Sequence, residues 1–127
     1  MNVQSFTIPG MLPGLEDMVQ MAKGPSGIRR YNEMKCRETE RIGLEILRGK
    51  VRQCAQGAFL QFTWVEQNRK RDKDNISGGG KKLILDAMRA VGILRNDGWR
   101  DVTGFSDSFS VDHINPRIIV TITIEET

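Results

Sequence analysis

The sequence predicts an α/β (α+β) fold, one mixed β-sheet with helices packed on it. Three observations carry that prediction. Arg117 to Ile124 alternates strictly, with Ile118, Val120, Ile122 and Ile124 on one face and Ile119, Thr121 and Thr123 on the other. Ala58 to Val65 alternates too, yet both of its faces carry apolar residues, as in an internal strand covered on two sides. Around these strands lie segments with helical spacing, in a mixed order without repeats. At 127 residues the chain has the size of a single domain, 1–127, able to bury a core without staples.

The elements follow in chain order. Val3 to Ile8 reads as a strand, with Phe6 and Ile8 opposite Ser5 and Thr7, ended by Pro9-Gly10. Leu15 to Lys23 suits a short helix with Leu15, Met18, Val19 and Ala22 on one side and Glu16 and Asp17 in the first turn. A second helix begins between Ile28 and Lys35 and runs to about Leu47, with Gly49 as its stop. Ile42 and Ile46, joined by Cys36 and Thr39, face inward; Arg37, Glu38, Glu40, Arg41, Glu45 and Arg48 face outward. Lys50 to Gln56 has no clear pattern. A third helix is expected from Gly80 or Lys81 to Ala90 or Val91, with Leu83, Ile84, Ala87, Met88, Ala90 and Val91 as its apolar stripe and Gly92 as its end. Asp101 to Val111 suits a strand interrupted at Gly104 or at Asp107-Ser108. It would form a hairpin with Arg117 to Ile124 across the turn Asp112 to Pro116, which holds the one histidine, His113.

Composition sets outer bounds. The net charge of +3 permits a nucleic-acid partner without demanding one, so local clustering matters more. One histidine excludes sites built from several imidazoles, and Cys36 and Cys54 lack paired metal-ligand spacing, so both read as free thiols. No apolar run reaches the roughly 18 residues that a membrane span needs, and Met1 to Pro9 does not resemble a signal peptide. The expected setting is the cytoplasm, with no membrane partner.

Chemistry concentrates between Arg69 and Lys82. Asp72 and Asp74 stand two residues apart; in an extended segment their carboxylates would share one side, with Cα atoms about 6.5 Å apart. Hard oxygen ligands suit Mg²⁺ or Mn²⁺. Arg69, Lys70, Arg71, Lys73, Lys81 and Lys82 supply cations of the kind a phosphate backbone attracts. The alternative is a charged, solvated loop. Gly78-Gly79-Gly80 is either a phosphate-contacting loop, its amides exposed before a helix, or a turn without ligand. Lys81 and Lys82 then fall in a first helical turn, where the dipole disfavours them. Asp86 reads as a partner for a neighbouring basic residue. Asn96-Asp97-Gly98 is a turn signal; a third carboxylate brought to the aspartate pair would improve a magnesium site. Trp99 either covers that turn or stacks on a base.

In this order the motifs resemble the RusA family of Holliday-junction resolvases. Asp72-Lys73-Asp74-Asn75 matches its Asp-x-Asp-Asn motif, Asp86-Ala87-Met88 its Asp-Ala-Leu helix, Gly92 the glycine after that helix, and Asn96-Asp97 its Asp-Asp turn with the first acid replaced by an amide. The resemblance implies a homodimeric endodeoxyribonuclease that binds branched DNA, four-way junctions above all. It implies symmetric cleavage with Mg²⁺ or Mn²⁺. Carried over, Asp72, Asp74 and Asp97 are metal ligands and catalytic residues, Lys82 the catalytic cation with Lys81 as alternate, and Arg69, Lys70, Arg71, Lys73 and Lys81 the DNA-binding set. The alternatives are a non-catalytic branched-DNA-binding accessory protein and a nuclease preferring flaps.

Overall fold

In the computed structural model, which describes residues 2–54 and 57–124, four strands and three helices form an α+β domain. The elements are β1 (Asn2–Pro9), α1 (Leu15–Met21), α2 (Gly27–Arg48), β2 (Ala58–Glu66), α3 (Lys73–Ala90), β3 (Val102–Val111) and β4 (Arg117–Ile124). Ala55 and Gln56 of the unpatterned segment, and the polar end after Ile124, lie outside the described residues.

The sheet order is β1-β4-β2-β3. β4 runs antiparallel between β1 and β2, while β2 and β3 are parallel. Parallel neighbours need a long crossover, and α3 supplies it. The expected β3–β4 hairpin is therefore not formed. Asp112 to Pro116 instead carries the chain past the end of β2, where the Asp112 amide donates to the Glu66 carbonyl at 2.8 Å. Strand pairing is a long-range choice, so two adjacent strand patterns do not decide it. β3 is also continuous; its irregularity falls at Thr103, skipped in the register between Ala58/Val102 and Phe59/Gly104.

Register places Phe6, Val120 and Phe62 in one cross-strand row and Ile8, Ile118 and Trp64 in the next, all buried. Ile42 and Ile46 of α2 and Leu83, Ile84, Ala87 and Met88 of α3 complete that core. Thr7, Ile119 and Thr63 share the opposite face. On β2 that face, expected to be covered, is covered only toward the end of the strand: Phe59 is exposed and Val65 is buried.

α2 buries Met34, Glu38, Ile42 and Ile46, a four-residue spacing, and leaves Cys36 at the surface. Glu38, expected outside, is buried because it holds Arg41: Nε donates to Oε2 at 3.0 Å. The rest of that guanidinium donates to the carbonyls of Pro9 and Met11, both at 2.8 Å, and straps the loop after β1. Leu15 and Val19 of α1 and Val91 after α3 are exposed, so those stripes are narrower than their sequences suggest.

α3 departs most from expectation. It starts at Lys73, not near Lys81, and contains all three glycines. A Cβ at Gly79 would stand 2.6 Å from the Pro13 carbonyl oxygen, and one at Gly80 2.7 Å from the Trp64 ring. The run is thus a flat helix surface on which the loop before α1 and the Trp64 indole lie in direct contact. Each glycine costs a helix about 1 kcal/mol relative to alanine, and this close packing offsets it.

Candidate functional site

The carboxyl ends of β2 and β3 and the start of α3 enclose an open cleft of about 640 Å³. Glu66 closes β2, Asp72 is the N-cap of α3, and Phe109, Ser110 and Val111 end β3; all line the cleft with Arg69, Lys73 and Asp74. In open α/β sheets this end of parallel strands is where ligands bind, and a helix start adds favourable potential for anions.

Asp72 and Asp74 both line that cleft and are exposed, on a helix start and not on the extended segment expected, so they lack the shared side an extended pair would have. An N-cap aspartate ordinarily accepts a helix amide. Asp72 accepts none, and among the described residues its carboxylate is uncommitted. Among the described residues Asp74 accepts only the adjacent Asn75 amide, at 3.0 Å. Asn75 itself is structural: its Oδ1 accepts the Glu16 amide at 2.8 Å and fixes the start of α1 over α3.

The expected cations separate into two groups. Arg69, Lys70 and Lys73 are exposed and form no ion pair among the described residues. Lys73 stands 5.8 Å from the centre of the Phe109 ring. Arg71, by contrast, is occupied: Nε and Nη2 donate to the two oxygens of buried Glu66 at 2.9 and 2.8 Å, and Nη1 donates to the Leu12 carbonyl at 2.9 Å. Lys81 is occupied as well. Its ammonium lies 2.8 Å from Asp107 Oδ2 and 4.8 Å from the Phe105 ring centre, while the Trp64 indole donates to Asp107 Oδ1 at 2.9 Å.

Asp97 and Lys82 stand elsewhere. Lys82 Nζ lies 3.1 Å from Asp86 Oδ1 and 3.9 Å from Asp97 Oδ2, eight residues and about 12 Å along α3 from Asp74. Lys35 reaches Asp86 Oδ2 at 3.4 Å from α2. Burial acts most strongly on Asp86 and would raise its pKa, but Lys82 and Lys35 together prevail and hold it below the usual carboxylate value. Among the described residues no three His, Cys, Asp or Glu side chains are gathered about a common point. Asp72, Asp74 and Asp97 therefore do not assemble as a trio within the described chain.

Gly78, Gly79 and Gly80, read as a phosphate-contacting loop, lie in the body of α3, where helical hydrogen bonding occupies their amides. Lys81 and Lys82 are accordingly in mid-helix, free of the dipole penalty of a first turn.

Two participants escaped the sequence reading. Glu66 is the sole acid of an otherwise uncharged strand, five residues before the arginine it holds. Asp107 lies between Phe105 and Phe109 at the spacing that puts all three on one strand face. No family model matches the chain, and no curated protein matches it.

Proposed function

We propose that this chain is a Mg²⁺- or Mn²⁺-dependent, structure-selective endodeoxyribonuclease of the RusA kind, acting as a homodimer on branched DNA and resolving four-way junctions. The observation that carries the reading is the cleft lined by Asp72 and Asp74 together with Arg69 and Lys73, cations that form no ion pair among the described residues. Two bare carboxylates on a phosphate-facing surface would repel DNA unless a cation lay between them and the backbone. Their donor set is all oxygen, and magnesium is commonly held by one or two carboxylates together with substrate phosphates. The residues present fit such an ion. When bound, it would supply Lewis acidity and a hydrolytic water.

The chain's own residues have distinct parts in this reading. Asp72 and Asp74 hold the ion. Arg69 and Lys73 seat the phosphodiester backbone without reading sequence. Arg71, held by Glu66, fixes the cleft wall and the loop at Leu12. Lys82 and Asp97, assigned to catalysis by resemblance, pair with each other outside the cleft, so the reading rests on Asp72 and Asp74.

That same separation favours a second reading, a protein that binds branched DNA without cutting it. Cleavage of labelled four-way, three-way, flap and linear DNA with Mg²⁺ or with EDTA separates the two. Metal-dependent cutting of the four-way junction is expected, and Asp74→Asn should stop it while junction binding persists or tightens. A variant that cuts at the parental rate would remove the site assignment. Tight junction binding without cleavage in Mg²⁺ would establish the second reading, and preferred cutting of flaps would change the substrate.

A further inference from the structure

At the opposite end of β3 from the cleft, Trp99 is 99% exposed. A free indole is costly to leave in water; full exposure of an aromatic side chain forgoes the largest apolar burial any residue offers. It does not cover its turn. The turn beneath it is nevertheless well anchored. The Gly98 carbonyl accepts the amides of Asp101 at 3.2 Å and Val102 at 3.0 Å, and the Asp101 carbonyl accepts the Ala58 amide at 2.9 Å. The ring thus stands on a hydrogen-bonded turn joined to the central strand.

Two arginines and two aspartates lie near it in sequence. Arg100 follows it directly, Arg95 precedes it by four residues, and both arginines are exposed. The acids of the segment are engaged, Asp97 with Lys82 and Asp101 with Arg95, both at 3.9 Å. Arg100 forms no ion pair among the described residues. An aromatic plane beside arginines is the combination on which unpaired bases stack while the adjoining phosphates are held.

We propose that Trp99 is a stacking platform for an unpaired DNA base, with Arg100 contacting an adjoining phosphate. This rests on the nucleic-acid reading of the cleft but uses a separate surface. β3 has ten residues, so the platform lies roughly 30 Å from the cleft along the strand. A DNA arm touching both would span about nine base pairs.

The two tryptophans make the test direct. Trp64 is buried and Trp99 is not, so a change in solvent-exposed indole emission reports Trp99. The full chain is titrated in EDTA with single-stranded oligothymidylate and with a blunt duplex of equal length, while anisotropy of labelled DNA follows binding. The single strand should quench the exposed emission and the duplex should not. Trp99→Ala should weaken single-strand binding about tenfold, and Trp99→Phe should retain most of it. Several results would overturn the proposal: no binding of the single strand, saturation with unchanged emission, or parental affinity in Trp99→Ala. Sedimentation provides another. If Trp99→Ala turns an associated protein into monomers at unchanged DNA affinity, the indole belongs to a protein contact. Single-strand binding through Trp99 without cleavage of any branched DNA would leave the platform standing and end the nuclease reading. Junction cleavage with an indifferent Trp99 would do the reverse.

Discussion

Glu66 and Arg71 face each other in a two-bond pair, Nε to Oε1 at 2.9 Å and Nη2 to Oε2 at 2.8 Å, with the Glu66 side chain only 7% exposed. The pair joins the last residue of β2 to the entry of α3, and the remaining guanidinium nitrogen extends the connection to Leu12. Removing one partner strands the other charge. Glu66→Ala is expected to cost about 3 kcal/mol of stability, because breaking a buried pair leaves an uncompensated cation. Urea denaturation measures it. A loss below about 0.5 kcal/mol would show that the pair behaves as a surface contact.

The glycine run predicts opposite signs at adjacent positions. A Cβ at Gly78 meets only Leu15 carbons, at 3.6 Å and beyond, an ordinary contact. Gly78→Ala should therefore stabilise the protein by about 0.5–1 kcal/mol through helix propensity. At Gly79 the new methyl would sit 2.6 Å from backbone atoms of Pro13 and Gly14. Gly79→Ala should lose about 1–3 kcal/mol in spite of the same propensity gain. Thermal melts of both variants check the pair; equal shifts would contradict the packing described for Gly79.

Acid should destabilise the domain partly through Asp86. Its folded-state pKa is lowered: burial, which raises it, is the largest single influence, but Lys82 and Lys35 outweigh it. A lowered carboxyl pKa stabilises the folded state above the unfolded value of about 3.9, and that contribution is lost as pH falls through the folded pKa. Asp112, held low by the Asn115 and Ile114 amides and by Arg117, acts in the same direction. Asp86→Asn should cost about 2 kcal/mol near neutrality and flatten the fall in stability below about pH 4. Urea titrations at several pH values give both quantities. An unchanged acid limb would assign that limb to other groups.

The cations of the cleft region should differ in kind. Arg69→Ala and Lys73→Ala should each lower the slope of log affinity for junction DNA against log salt by about 0.9, the value for one phosphate contact. Both variants should fold as stably as the parent. Arg71→Ala should instead lose stability, since its guanidinium is held within the protein. A slope change with Arg71→Ala at parental stability would exchange these roles.

Much of the domain was legible because it rests on local periodicity. Alternation in β1, β2 and β4 and the inner residues Ile42, Ile46, Leu83, Ile84, Ala87 and Met88 follow from the spacing that one buried face imposes. The cluster of Asp72 and Asp74 with Arg69 and Lys73 was legible for a similar reason: residues so close in sequence remain neighbours in a helix start or in a strand.

Only the tertiary structure decided the remainder. Whether β3 pairs with β4 or with β2 depends on contacts distant in sequence, and the crossover through α3 settles it as parallel to β2. Local propensity makes Gly78-Gly79-Gly80 a break; the backbone of Pro13 and Gly14 and the Trp64 ring, packed onto bare glycine, make it helix. That change adds two turns to α3. It moves Lys81 to Asp107, and it sets Lys82 beside Asp86 and Asp97 well along the helix from Asp74. Residue type and order specify which groups are available for chemistry. Helix length and strand order, products of packing across the whole chain, determine which of them meet.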